Sequence, residues 1–431
     1  MIQDKSEIRS KKKQPWAWYF YDWANSSYAV VVLAGFFPVF FKEYWDTTSS
    51  AELSTFHLGM TNSAASLLVV ILAPMIGAVA DQMGRKTRLL GAFAALGLVM
   101  TGALYWVGQG HWQLASALFV VSFLGFAGGN IIYDSLLADI ASESDMERIS
   151  ATGYAFGYLG SGLLFAFDVY MTLHPDLFGL SGSAQAVRLS FLSVALWWGL
   201  FSIPIMRMPS PRGAESPAQR KSLLMNIGGA FRQLYQTFAE IRCLREVSLF
   251  LAAYWLYIDG VHTIIRMAVD YGLALGLGSD SLIKALLITQ FVGFPAAWLY
   301  GMFGQKVGAK RGILFGIVAY ILITVAATQM ETARGFFAMA VAIGLVQGGV
   351  QALSRAFYTR IIPAGKSSEF FGFYNMLGKF AAVIGPMVVG WSSVLWGSRY
   401  GILSIAVLLV AGGLLLLTVN ESRAKELARQ L

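Results

Sequence analysis

The chain has 431 residues, 32 of them Lys or Arg and 24 Asp or Glu, so 13% are charged where a soluble domain carries about 25%. Hydrophobic residues make up 56% and 45 glycines add to the non-polar share. That is more apolar surface than one water-soluble core can hide, so lipid is the solvent for most of the chain. The single cysteine, Cys243, excludes an intrachain disulfide and a Cys-rich metal or redox site.

A membrane-crossing helix needs about 20 apolar residues. By that measure the sequence predicts twelve, starting near Trp16, Thr55, Thr87, Trp112, Ser150, Arg188, Val247, Leu282, Gly312, Arg334, Glu369 and Arg399. Gly108-Gln109-Gly110-His111 splits the uncharged run from Leu89 to Tyr133 into two of them. The first follows Lys11-Lys12-Lys13 and is too long for the apolar part of a cleaved signal, so it is expected to stay as an anchor. Gly153, Gly157, Gly160 and Gly162 give the fifth a small-residue face for close packing. After the sixth, Pro209-Ser210-Pro211 and Pro217 mark a flexible stretch. Ile227, Phe231, Leu234, Phe238 and Ile241 then recur on one helical face, which reads as an amphipathic helix on the cytoplasmic leaflet or as a docking site for a regulator. Asp259 and Arg266 interrupt the seventh helix, and Gly385-Pro386 should kink the eleventh.

With both termini placed in the cytoplasm, the inner segments hold 24 of the basic residues and the outer ones four: Lys42, Arg188, Arg334 and Arg399. This positive-inside bias predicts a multi-pass protein of a bacterial cytoplasmic membrane, and it accounts for the net charge of +8 without nucleic acid. Residues 1–207 and 247–431 then form two six-helix halves joined by a cytoplasmic linker at 208–246. Gly77, Gly84 and Lys86 recur at a constant offset as Gly301, Gly308 and Lys310, Gly128-Gly129 recurs as Gly348-Gly349, and Asp22 has a counterpart in Asp259. The expected fold is all-α and integral to the membrane: twelve transmembrane helices in two pseudo-symmetric halves, with a substrate path between them.

The loop after the second helix reads Gly77-Ala78-Val79-Ala80-Asp81-Gln82-Met83-Gly84-Arg85-Lys86. Gly77 permits close helix contact, Asp81 can accept at a facing helix N-terminus, and Gly84 allows a tight turn. Arg85 can pair with an acid at the end of helix four, Asp139 being the best placed. This stretch resembles the signature loop of the major facilitator superfamily. In the second half Gln305 stands at the acidic position, so a latch there must be weaker or differently built. Tyr21-Asp22-Trp23-Ala24-Asn25-Ser26-Ser27-Tyr28 and Tyr257-Ile258-Asp259-Gly260 resemble, more narrowly, the vacuolar amino-acid effluxer branch linked to autophagy in fungi. The resemblance implies export of a solute, with amino acids the best-known class.

Buried polar stripes argue for transport independently, because charge in hydrocarbon is costly and faces a bundle interior or an aqueous cavity. Asp22, Asn25 and Ser26 share a face of helix one, Asn130 and Asp134 of helix four, Asp259, His262 and Arg266 of helix seven, and Gln347, Gln351 and Arg355 of helix ten. Asn375 and Lys379 add a pair on helix eleven. The expected binding or coupling residues are Asp22, Asn25, Asn130, Asp134, Asp259, His262, Gln351 and Arg355. Asp259 would sense a proton or a substrate ammonium, and Arg355 an anionic group. Asp134 and Arg355 can equally be a structural ion pair, while Arg266, Lys284 and Asp168, toward the outer ends, can snorkel. The expected gating residues are Gly77, Asp81, Gly84, Arg85, Lys86 and Asp139. The chain thus reads as a secondary active transporter, monomeric, moving a small polar solute and a proton by alternating access.

Two other classes are compatible with the sequence. Asp134, Asp139, Glu143 and Asp145 cluster at one helix end, as a Mg²⁺-dependent intramembrane enzyme of prenyltransferase type would need, but without its paired acidic repeats. A carrier fold can also be reused as a receptor that transports nothing. The four histidines lack metal spacing and no phosphate-binding Gly-Lys-Ser or Gly-Lys-Thr loop exists, so neither a metal, a nucleotide nor any other cofactor is expected.

Overall fold

The computed structural model describes residues 5–208, 240–241, 244–274, 279–330, 332–363, 365–396 and 398–430. These residues are helical almost throughout. In chain order the long helices are α1 (Pro15–Trp45), α2 (Ala51–Met83), α3 (Lys86–Ala103), α4 (Trp112–Ser135), α5 (Met146–Leu173) and α6 (Ser183–Met206). Then come α7 (Arg245–Ala274), α8 (Ser279–Val307), α9 (Ala309–Ala327), α10 (Ala333–Ile361), α11 (Ser367–Trp396) and α12 (Ser398–Thr418), followed by a short α13 (Glu421–Gln430). Eleven of these helices contain a segment long and apolar enough to cross a membrane. The 30 residues of α11 supply the length for a twelfth, about 45 Å at 1.5 Å per residue. The amphipathic segment expected over residues 227–241 lies, apart from residues 240 and 241, outside the described residues.

Close contacts group the chain into two units, one of residues 1–72, 85–133 and 156–211, the other of 73–84, 134–155 and 212–431. The second unit therefore takes in the end of α2, the end of α4 and the start of α5.

In the first unit α6 packs against α1 and α3. Gly97 of α3 faces Gly125 of α4 so closely that a Cβ on Gly125 would lie 2.4 Å from the Gly97 nitrogen, and Trp198 of α6 fills the other side of Gly97. Two of the four glycines on the small-residue face of α5 do similar work: Gly157 meets Asp22 and Ser26, and Gly160 meets Trp23. Helix α1 is not a plain α-helix. Over Tyr28–Phe36 and Phe41–Trp45 it widens to i→i+5 bonding, with the Phe37 amide on the Val32 carbonyl and the Asp46 amide on that of Phe41.

In the second unit α7 packs on α11 and α12, α8 on α10, and α9 on α10 and α12. Its core holds Phe250, Tyr257, Tyr320, Val350, Leu353, Phe357 and Leu409, all fully buried. The tight turns after α2 and α8 both use a glycine with positive φ, 60° at Gly84 and 93° at Gly308. The repeated glycine thus recurs as a repeated positive φ, with the next helix resuming at Lys86 in one loop and at Ala309 in the other.

Candidate functional site

Three of the expected residues come together in the first unit. The Asp22 carboxylate, buried in α1, accepts at Oδ2 from the Tyr133 hydroxyl and at Oδ1 from Ser26, both at 2.9 Å. One turn on, the Asn25 amide donates to Asn130 Oδ1. Tyr133 is held in place by stacking on Trp18, ring centroids 4.3 Å apart, while the Trp18 indole donates to the Tyr133 carbonyl. A Cβ on Gly157 would lie 2.9 Å from Asp22 Oδ1, so α5 can close over this cluster only because position 157 is glycine. The result is an acid surrounded by hydroxyls and amides, a constellation suited to an ammonium or a proton.

Asp134 and Arg355 are brought together in the second unit. Arg355 Nη1 lies 3.0 Å from Asp134 Oδ1, and its Nε and Nη2 donate to the hydroxyl and carbonyl of Ser150 at 3.0 and 2.8 Å. The guanidinium lies over the Tyr154 ring at 4.5 Å, and Asn375 donates to the second Asp134 oxygen. With Arg355 only 2% exposed, this is a buried and well-bonded ion pair. Removing one member of such a pair costs about 3–5 kcal/mol, because the other charge is left stranded. Gln351 lies one turn before Arg355 on α10 and is half-buried.

Asp259 of α7 is buried at 2% and accepts from the Gly385 amide at 3.0 Å and from Thr263 at 3.4 Å. Gly385 lies immediately before Pro386 in α11. His262 follows on α7, half-buried, and the Arg266 side chain lies outside the described residues.

The signature loop is built as a contact on α11. Gly77 presses on the Ser368–Glu369 backbone, where a Cβ would lie 2.1 Å from the Ser368 carbonyl oxygen. Asp81 Oδ2 accepts the Glu369 amide at 2.8 Å, in the first turn of α11, where free amides and the helix dipole favour an anion. Ser368 also donates to Ser135 Oγ at 2.9 Å. Gly84 makes the turn, Arg85 is the residue before α3, and Lys86 is its first. Asp139 lies exposed in the short helix Leu137–Ile140. Arg85 falls in the first unit and Asp139 in the second. In the second-half loop Gln305 donates instead to the Ser144 carbonyl at 2.8 Å.

The structure corrects the reading of Asp168. It does not snorkel: it is completely buried, and its two oxygens take the Ser193 hydroxyl at 2.9 and 3.0 Å. Its α6 partners were visible in sequence as Ser190 and Ser193, three residues apart, but nothing pointed them at α5. The acid cluster at 134–145 dissolves as well. Asp134 is taken by Arg355, Glu143 by Lys425 and Asp145 by Arg148, so these three acids do not converge on a cation site. Tyr133, Ser150, Tyr154 and Glu147 were missed in sequence, each being an ordinary residue whose partner comes from another helix.

The architecture is that of the major facilitator superfamily. The structure of the proton:xylose symporter XylE bound to 6-bromo-6-deoxy-D-glucose superposes with a TM-score of 0.75 at 13% identity, covering 97% of this chain and 98% of that one. FucP in the outward conformation superposes at 0.68 with 12% identity, covering 95% and 98%. Among sequences, the "Uncharacterized MFS-type transporter YxiO" of Bacillus subtilis is 37% identical over 421 residues, 97% of each chain. Autophagy-related protein 22 of Coccidioides immitis is 22% identical over 546 aligned positions, 98% of this chain and 89% of the relative. The family model described as "Vacuole effluxer Atg22 like" matches residues 10–429. The chain belongs to that family: it is a multi-pass membrane transporter of the major facilitator type and not an enzyme.

Proposed function

We propose that the protein exports a small polar solute, an amino acid or a related metabolite, by alternating access coupled to a proton. The observation that carries this is the Asp22 cluster. A buried carboxylate inside a membrane helix, ringed by Tyr133, Ser26, Asn25 and Asn130, suits the ammonium of an amino acid and offers neutral hydrogen bonds to the rest of it. Within the second unit, Asp259, His262, Gln351 and the Asp134–Arg355 pair are the groups we assign to coupling and to an anionic substrate group. Arg355 would become available to a carboxylate when Asp134 lets go. Gly77, Asp81, Gly84, Arg85, Lys86 and Asp139 are the residues we assign to the gate. Membership in a family described as effluxers supports the direction, and the basic asymmetry of the loops supports a bacterial cytoplasmic membrane with both termini inside.

Counterflow into proteoliposomes, with a panel of labelled amino acids set against labelled sugars and nucleosides, tests the reading. Exchange of at least one amino acid, cut by about tenfold or more in Asp22→Asn through loss of a charged hydrogen-bonding group, is the expected result. Exchange confined to sugars or nucleosides would overturn the substrate class, and exchange untouched by Asp22→Asn would overturn the site.

A further inference from the structure

The last helix of the chain is tied into a charge network that joins segments from before and after the linker. Arg360, at the end of α10, reaches both carboxylate oxygens of Glu147 at the start of α5, each at 2.5 Å, and donates to the Glu143 carbonyl at 2.6 Å. Its third acidic neighbour is Glu421, the first residue of α13, at 3.8 Å. Lys425, one turn further along α13, lies between Glu421 at 3.0 Å and Glu143 at 3.1 Å. Helix α13 is also seated by apolar contact: Ala424 and Ala428 are buried and Leu427 packs on the core of the second unit. Its entry is pinned where Glu246 accepts the Asn420 amide at 2.7 Å and where Lys310 Nζ caps the carbonyls of Leu417 and Val419 at 2.9 and 2.7 Å.

The members of this network differ in burial, and the difference assigns their roles. Glu147 is 2% and Arg360 11% exposed, so that pair is a lock whose charges cannot be left unpaired. Glu143 is 58%, Lys425 26% and Glu421 27% exposed, so those pairs are screened, individually weak and able to break and re-form. Helix α13 thus adds a breakable layer of charge over a buried lock between the α5 start and the α10 end. We propose that α13 is a charge-held clamp on this end of the transporter: through Lys425 on Glu143 and Glu421 on Arg360, it slows the parting of residues 143–147 from α10 that opening here requires. The inference rests on alternating access but not on the identity of the solute.

Thiol labelling of the full chain in nanodiscs tests it without any solute. In a Cys243→Ser background, Ser368→Cys reports opening, because Ser368 is fully buried and bonded to Ser135. Ser122→Cys, equally buried in the first unit, reports general loosening. Lys425→Gln and Glu143→Gln should each speed maleimide labelling at position 368 by about threefold, the scale of a partly exposed ion pair. The two combined should be no faster than either alone. Added salt should speed the parent more than the double variant, which keeps only the Glu421–Arg360 contact of the clamp to be screened. Labelling at position 122 should not change. Unchanged labelling at 368 in the single variants, a combined effect equal to their product, or equal acceleration at 122 and 368 would each overturn the clamp. Absence of any amino-acid exchange in proteoliposomes would leave these rates untouched, so the two proposals fail separately.

Discussion

The two tight loops at Gly77–Lys86 and Gly301–Lys310 keep Gly, Gly and Lys at matching positions and differ in the side chain that latches each one, Asp81 against Gln305. Both turn on a left-handed glycine, and both set an upstream glycine against the start of another helix. Gly77 touches backbone, the Ser368 carbonyl, whereas Gly301 touches a side chain, the Ala151 methyl, 2.4 Å from where its own Cβ would be. Asp81 brings a carboxylate to an amide at a helix N-terminus, while Gln305 brings a neutral amide to a carbonyl. Charge-assisted bonds are roughly twice as strong as neutral ones. The comparison teaches that both loops keep a positive-φ glycine and a close glycine contact, while the charge-assisted bond belongs to the first loop.

The largest expected effect comes from the glycines. Gly77→Ala forces a Cβ into backbone that cannot move aside and should cost about 3 kcal/mol, the upper range for overpacking, abolishing counterflow. Gly301→Ala meets the Ala151 methyl and, at 3.3 Å, the Glu147 carbonyl oxygen, a looser fit than at Gly77, and should cost about 2 kcal/mol. Equal losses in a paired counterflow assay would erase the distinction between the loops. Next come the polar positions. Asp81→Ala should shift the gate by about 2 kcal/mol, the worth of a hydrogen bond to a charged group, and Gln305→Ala by about 0.5 kcal/mol. Labelling rates at a thiol on position 368 measure both, and a Gln305→Ala effect as large as that of Asp81→Ala would contradict the asymmetry.

The smallest effect is expected far from either loop, at Asp46. Burial pushes its carboxyl pKa up, but hydrogen bonds from Ser49 and from His57, the latter at 2.9 Å, more than offset this and hold it below the usual value. A depressed pKa contributes stability above the unfolded value of about 4, lost as pH falls through the lower folded value. Acid unfolding of Asp46→Asn should therefore lose a small pH-dependent component below about pH 4 and match the parent near neutrality only after a constant offset. An unchanged acid limb would remove Asp46 from the account.

Much of this was legible in the chain. Uncharged runs located the starts of the membrane-crossing segments to within a few residues because lipid admits no charge cheaply, and the glycine offsets revealed the repeat because only glycine tolerates those turns. The Asp22, Asn25 and Ser26 face was legible by helical spacing. The partners were not. Asp134 and Arg355 are separated by 221 positions, and helical periodicity says nothing of which helix faces which. Asp168 was misread for the same reason: its distance along α5 suggested an exposed end, while its depth is set by α6. The charges of α13 could not be assigned partners from the sequence, since Lys425 and Glu421 gain meaning only beside Arg360 and Glu143.

The central claim is that the end bearing Asp81, Arg360 and α13 alternates between closed and open. Spin labels at Gln82 and Arg423, both exposed within the second unit, measure it directly by pulsed electron resonance in nanodiscs. The account predicts two resolved distance populations, with the longer one growing in Asp81→Ala. A single distance that Asp81→Ala leaves unchanged would contradict it.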